Sequence, residues 1–212
     1  MAKISEKTSS ILHFLGRLLV FNSVFLLIPV ACTAIYWGEH GDGWRTLLAF
    51  LLPSISSFCT GFAMLRRFRY TSFGTAGALL LCALAWLAFS FFGALPFVTG
   101  INSSFLDGYF EAMSGYTTTG ITVYDGLIDL PRSILFWRSL TQWVGGLGIL
   151  SFFLVISIAG VDHNLYSAES HKIVDGRPTP GLTNTVRLLW GVYLLDRKST
   201  RLNSSHVSQS RM

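Results

Sequence analysis

Between two apolar runs long enough to cross a bilayer, residues 75–96 and 133–159, the chain carries a helical pattern that is too short to do so. It reads Asp107-Gly-Tyr-Phe-Glu-Ala-Met-Ser-Gly-Tyr-Thr-Thr-Thr-Gly-Ile-Thr122. Ser104 stands where it would cap this helix, and Asp107, three residues on, gives the start the form of a capping box. Phe105, Phe110 and Met113 offer an apolar face. Helical propensity gives out at Thr117, Thr118 and Thr119, three β-branched residues followed by Gly120. A helix of about ten to fourteen residues falls short of roughly 30 Å of hydrocarbon, so a re-entrant or interfacial segment is expected.

Spanning helix, half-helix, Thr/Gly segment and second spanning helix together make one pore-loop unit. The order Thr118-Thr119-Gly120-Ile121-Thr122 parallels the Thr-Val-Gly-Tyr-Gly filter of potassium channels, in which backbone carbonyls replace the hydration shell of the ion. Glycine suits the middle position because it reaches positive φ without strain, which lets neighbouring carbonyls point into a pore. The half-helix would aim its negative C-terminal end at a resting cation. The carbonyls of Thr118, Thr119, Gly120 and Ile121 are therefore expected to hold a dehydrated ion, with K+ at Thr118, Thr119 and Gly120. The Thr118 hydroxyl would add an oxygen at the inner end. Taken alone, a Thr-Thr-Thr-Gly run is more often a loop or a helix stop; its position between two spanning segments makes it specific.

The rest of the composition agrees with a membrane setting. With 51% hydrophobic and 13% charged residues and a mean hydropathy of +0.51, the chain reads as an all-α integral membrane protein. Its net charge of +5 is spread between apolar runs and not along one face, which argues against nucleic acid. Cys32, Cys59 and Cys82 lie inside apolar segments without metal-site spacing, and His163 and His171 have no partner cysteine. No Ser-His-Asp elbow or phosphate-cradling loop is present in the sequence, so no enzyme and no bound cofactor are expected.

In chain order, residues 1–70 read as two leading transmembrane helices, 11–37 and 46–65, joined by a turn at 38–45. Pro29 is expected to kink the first rather than end it. Arg66, Arg67 and Arg69 mark the cytoplasmic side, which puts the N-terminus in the cytoplasm and residues 38–45 and 100–130 outside. Residues 71–160 form the helix/pore-loop/helix repeat. Its outer stretch carries Asp107, Glu111, Asp125 and Asp129 and no Lys or Arg, suited to gathering cations. Asp125, just beyond the filter, and Thr122 are candidates for the outer mouth. Pro131 opens the last spanning helix, where Arg138 is expected at the outer interface or paired with an acid such as Glu111. Residues 161–182 are a cytoplasmic connection, 183–195 the truncated start of a second repeat, and 196–212 a tail resembling translated adaptor sequence.

The blocks 110–122, 130–133 (Leu-Pro-Arg-Ser) and 137–148 (Trp137-Arg138-Ser-Leu-Thr-Gln-Trp-Val-Gly-Gly-Leu-Gly148) resemble the TrkH/KtrB superfamily of potassium transporters, and its TrkH branch in particular. The resemblance spans about residues 5 to 195. It implies four helix/pore-loop/helix repeats around a pseudo-fourfold pore, with two extra helices in front. It further implies potassium uptake across the bacterial inner membrane, a homodimer, and a cytosolic nucleotide-binding regulatory subunit similar to TrkA. On that map three repeats are missing here. A carbonyl ring needs about four loops and the chain supplies one, so activity is expected only with four copies or the remainder. The alternative is a non-conducting membrane scaffold or assembly subunit in which the Thr/Gly segment is merely a bend.

Overall fold

In the computed structural model of the chain, residues 6–39, 41–69, 75–159 and Gly191 are described. The expected connection at 161–182, second repeat at 183–195 and tail at 196–212 lie outside the described residues, apart from Gly191, which is helical. The described elements are α1 (Glu6–Ile35), α2 (Trp44–Arg67), α3 (Thr75–Ile101), α4 (Phe105–Tyr116), a 3-10 turn (Leu127–Asp129) and α5 (Arg132–Ala159). Among the described residues there is no strand. Glu6–Ile35, Trp44–Arg67 and Ala76–Ile101 combine the length and apolarity needed to cross a membrane. Helix α5, with 28 residues, is roughly 42 Å long.

The helices pass through their prolines. Helix α1 continues beyond Pro29 to Ile35, and α2 contains Pro53. Helix α3 runs past Pro96, where the sequence pattern ended it, to Ile101, because a membrane helix tolerates the lost hydrogen bond that would break a helix in water. What stops α3 is Asn102, at a φ of 58°, a residue type that accepts left-handed backbone. Pro131 precedes α5 as expected, and its carbonyl accepts the N–H groups of Ile134 and Leu135 at 3.0 and 3.1 Å.

The chain divides into two compact units, residues 1–146 and 147–212. Within the first, α1 and α2 meet backbone to backbone at two glycines. A Cβ on Gly16 would stand 2.8 Å from the Gly61 carbonyl oxygen, and one on Gly61 would stand 2.6 Å from that of Gly16. Such close approach is the way apolar helices gain packing energy where lipid offers no hydrophobic drive. Hydroxyls stitch the same seam: Ser54 donates to the Ser23 carbonyl at 2.8 Å and Ser57 to that of Leu19 at 2.9 Å. The core below brings together Leu19 and Leu26 of α1, Phe50 of α2, Phe92 and Phe97 of α3, Ala112 and Tyr116 of α4, and Ile134 and Trp137 of α5. Outward, Leu48, Leu52, Ile55, Phe58 and Phe62 form an exposed stripe along α2, a surface suited to acyl chains and not to water. In the second unit, residues 147–159 continue as helix.

The turn between α1 and α2 also anchors the start of α5. Asp42 is buried and accepts both the Ser133 N–H, at 3.2 Å, and the Ser133 hydroxyl. Its carboxylate thereby satisfies an otherwise orphan donor in the first turn of α5 and sits at the positive end of that helix.

Candidate functional site

Helix α4 spans 12 residues, about 18 Å. The Ser104 hydroxyl oxygen accepts the Asp107 N–H at 3.1 Å and donates to the Asp107 carboxylate at 2.7 Å, which fixes where the helix begins. The face it buries is not the expected one. Phe105 and Phe110 are exposed, whereas Gly108, Glu111, Ala112, Ser114, Gly115 and Tyr116 are buried. Space explains the choice. A Cβ on Gly108 would lie 3.0 Å from the Ala94 carbonyl oxygen of α3, and one on Gly115 would collide with the Thr141 hydroxyl of α5. Small residues admit the neighbouring helices, and the phenylalanines are left on the outside.

The helix closes in a Schellman motif. The Thr118 N–H donates to the Gly115 carbonyl and the Thr119 N–H to that of Ser114, both at 2.9 Å, the paired bonds that define this ending. The residue that must turn left-handed is Thr118, with a φ of 58°. Glycine usually holds this place, and a β-branched residue there costs about 1–2 kcal/mol. Gly120, two residues on, is left-handed again at 75°, as expected from the sequence. The Thr118 hydroxyl gives its hydrogen to the Thr117 carbonyl at 2.7 Å, and the Thr117 and Thr119 hydroxyls share a bond of 2.8 Å.

The N–H groups of residues 117 to 120 are all turned back onto α4, that of Gly120 reaching the Ser114 carbonyl at 3.4 Å. Among the described residues, the carbonyls of Thr118, Thr119 and Gly120 accept no hydrogen bond, and all three residues are exposed. The Ile121 carbonyl differs. It accepts the Ser114 hydroxyl at 2.6 Å.

The segment leaving the loop is tied down by Glu111, only 1% exposed. Its carboxylate accepts the Thr122 hydroxyl at 2.9 Å and the Val123 N–H at 3.3 Å, and it pairs with Arg138 Nε of α5. The structure thus brings together Glu111, Thr122 and Arg138, while Asp125 stands exposed farther along the segment. Tyr124 follows, its hydroxyl donating to Ser103 at 2.7 Å. Burial pushes its phenol above the ordinary tyrosine value, partly opposed by that bond, with Glu111 and Asp107 adding to the rise.

Helix α5 walls the loop. A Cβ on Gly145 would run into the Tyr116 backbone, and Gln142 comes within 4.0 Å of where a Cβ on Gly120 would lie. The Trp137 indole donates to the Gly93 carbonyl at 3.0 Å, and the Tyr116 hydroxyl donates to Asn22 of α1 at 2.9 Å. Three of these anchors escaped sequence reasoning: Ser114, Asn22 and the Asp42–Ser133 pair. Asn22 carried a signal, a lone amide in an apolar run. Ser114 and Asp42 carried none, since serine in a helix and aspartate in a turn are ordinary.

A helix of 12 residues packed among helices long and apolar enough to cross a membrane defines an all-α membrane protein. Residues 50–195 match the model of the TrkH family, cation transport proteins. An uncharacterized cation transporter of Methanocaldococcus jannaschii is 36% identical over 87% of this chain and 38% of its own length. The Trk system potassium uptake protein TrkH of Vibrio parahaemolyticus is 34% identical over 87% of the chain and 38% of its own. The crystal structure of the potassium transporter TrkH from the same organism superposes with a TM-score of 0.64 at 30% identity, covering 88% of this chain and 36% of that one. The chain belongs to the TrkH family and is a multi-pass membrane protein of a cation-transport class, not an enzyme class. It spans about 38% of the length of these curated relatives.

Proposed function

We propose that the chain supplies one loop of a potassium-conducting pore, in which the carbonyls of Thr118, Thr119 and Gly120 replace part of the hydration shell of the ion. The observation that carries this reading is the run of exposed residues Thr118, Thr119 and Gly120 at the C-terminal end of α4, whose carbonyls accept no hydrogen bond among the described residues, where a helix dipole favours a cation. Potassium as the substrate is taken over from the relatives named for potassium uptake. Because a carbonyl ring around the ion draws on about four loops, conduction needs three more loops besides this one.

The pore lies in the bacterial inner membrane, with α5 as the fourth crossing. Arg66, Arg67 and Arg69 stand in the cytoplasm with the N-terminus, and residues 38–45 and 100–130 lie outside. The assembled transporter is a homodimer that binds a TrkA-like cytosolic subunit; both features rest on the family resemblance. A cysteine placed by Arg69→Cys should resist an impermeant thiol reagent added from outside and react once the membrane is opened.

The function is tested in a chimera in which residues 6–159 replace the aligned segment of Vibrio parahaemolyticus TrkH. Growth of a potassium-uptake-deficient bacterium on low potassium is expected to be rescued. The 212-residue chain alone should give no potassium flux in proteoliposomes. A chimera that inserts normally yet fails to rescue would favour a scaffold whose Thr/Gly segment is only a bend.

A further inference from the structure

Ser114 holds the loop at both ends. Its carbonyl accepts the N–H groups of Thr119, at 2.9 Å, and Gly120, at 3.4 Å. Its hydroxyl donates to the Ile121 carbonyl at 2.6 Å. The residue lies on α4 and is only 6% exposed, so little water competes for that bond. A serine in a helix ordinarily turns its hydroxyl to a carbonyl three or four residues before it, as Ser10 does to Glu6 at 3.0 Å and Ser139 to Leu135 at 3.1 Å. Ser114 instead reaches seven residues forward, across the turn, to the far end of the loop.

We infer that Ser114 is a positioning residue that sets how many carbonyls this loop presents to the ion, keeping three and drawing the fourth, that of Ile121, back toward α4. This rests on the filter reading above. A carbonyl that already accepts a short hydrogen bond is oriented by it, and part of its negative charge is committed to the donor. In the field-strength account of cation selectivity, the number and field strength of the coordinating carbonyls set the discrimination. Freeing the Ile121 carbonyl adds an oxygen to the ring and loosens the segment, so the discrimination between potassium and sodium changes even where total uptake survives.

In the chimera, S114A and S114C remove the strong donor while keeping the site small. Both are expected to change the potassium-to-sodium ratio of initial uptake in proteoliposomes at least threefold, with amounts of inserted protein and thermal stability close to the parent. Cysteine is nearly the size of serine, so S114C keeps the test open should the alanine variant fold poorly. Gly120→Val is measured alongside. Unchanged ratios in S114A and S114C beside a loss of uptake in Gly120→Val would overturn the role of Ser114 and leave the filter standing. Undiminished uptake in Gly120→Val would overturn the filter and, with it, this inference.

Discussion

Two helices of this chain end in opposite ways. Helix α2 closes with Arg66 and Arg67 in its last turn, the Arg66 guanidinium lying 4.7 Å from the centre of the Phe62 ring. The Phe68 N–H caps the Met64 carbonyl at 2.9 Å, with ordinary extended backbone after it. Helix α4 closes with no basic residue in its last turn, a β-branched residue in left-handed backbone, and three carbonyls without a partner among the described residues. The C-terminal end of every helix carries negative partial charge. At α2 the protein answers it with its own cations; at α4 the last turn holds no basic residue and a threonine in left-handed backbone follows it. Strained backbone persists where the surroundings over-determine it, and here Gly115, Gly145 and Ser114 do so through contacts that leave the loop little room.

The largest effect is expected from Gly120→Val in the chimera. It puts a β-branched side chain at a φ of 75° and re-aims the carbonyls, so potassium uptake should fall to background while membrane insertion, followed by protease protection, is retained. Next comes Glu111→Ala. It strands the Arg138 guanidinium, 16% exposed, together with the Val123 N–H and the Thr122 hydroxyl, and should cost about 3–5 kcal/mol. Thermal unfolding in detergent would register this as a lowered midpoint, and Glu111→Gln, which keeps two acceptor lone pairs, should lose less.

Thr118→Gly separates stability from conduction. It relieves about 1–2 kcal/mol of left-handed strain but adds about 0.5–1 kcal/mol of backbone entropy loss, so the melting point should stay level or rise slightly. Potassium uptake should nevertheless drop severalfold, since the hydroxyl and the rigidity of the turn are gone. The smallest effect belongs to the other helix end: Arg67→Ala should cost under about 1 kcal/mol and leave uptake unchanged. Equal sensitivity of uptake at the two ends would erase the contrast between them.

Much of this was legible in the sequence, and the reasons differ by element. The α4 limits followed from Ser104 and from the run of threonines, because capping and β-branching act locally. The positive φ at Gly120 followed from the same local logic. The buried face of α4 did not, because hydrophobicity alone favours Phe105 and Phe110, whereas the choice was made by how closely α3 and α5 approach Gly108 and Gly115. The apolar run bounded at residue 96 is shorter than α3, which continues through Pro96 to Ile101, as a membrane helix tolerates proline. The Glu111–Arg138 pair is one of the two placements expected for Arg138, the other being the outer interface, because a charge in an apolar run is costly without a partner or water. The Ser114–Ile121 bond depends on the three-dimensional path of the loop, which no local pattern encodes.

The claim that the end of α4 is built to hold a cation is tested most directly by placing a heavy cation there. Crystals of the chimera grown with thallium in place of potassium would be measured for anomalous scattering. The expected result is a peak on the pore side of the loop, in contact with the carbonyl oxygens of Thr118, Thr119 and Gly120. A thallium peak elsewhere along the pore, with those three carbonyls bonded only to water or protein, would contradict it.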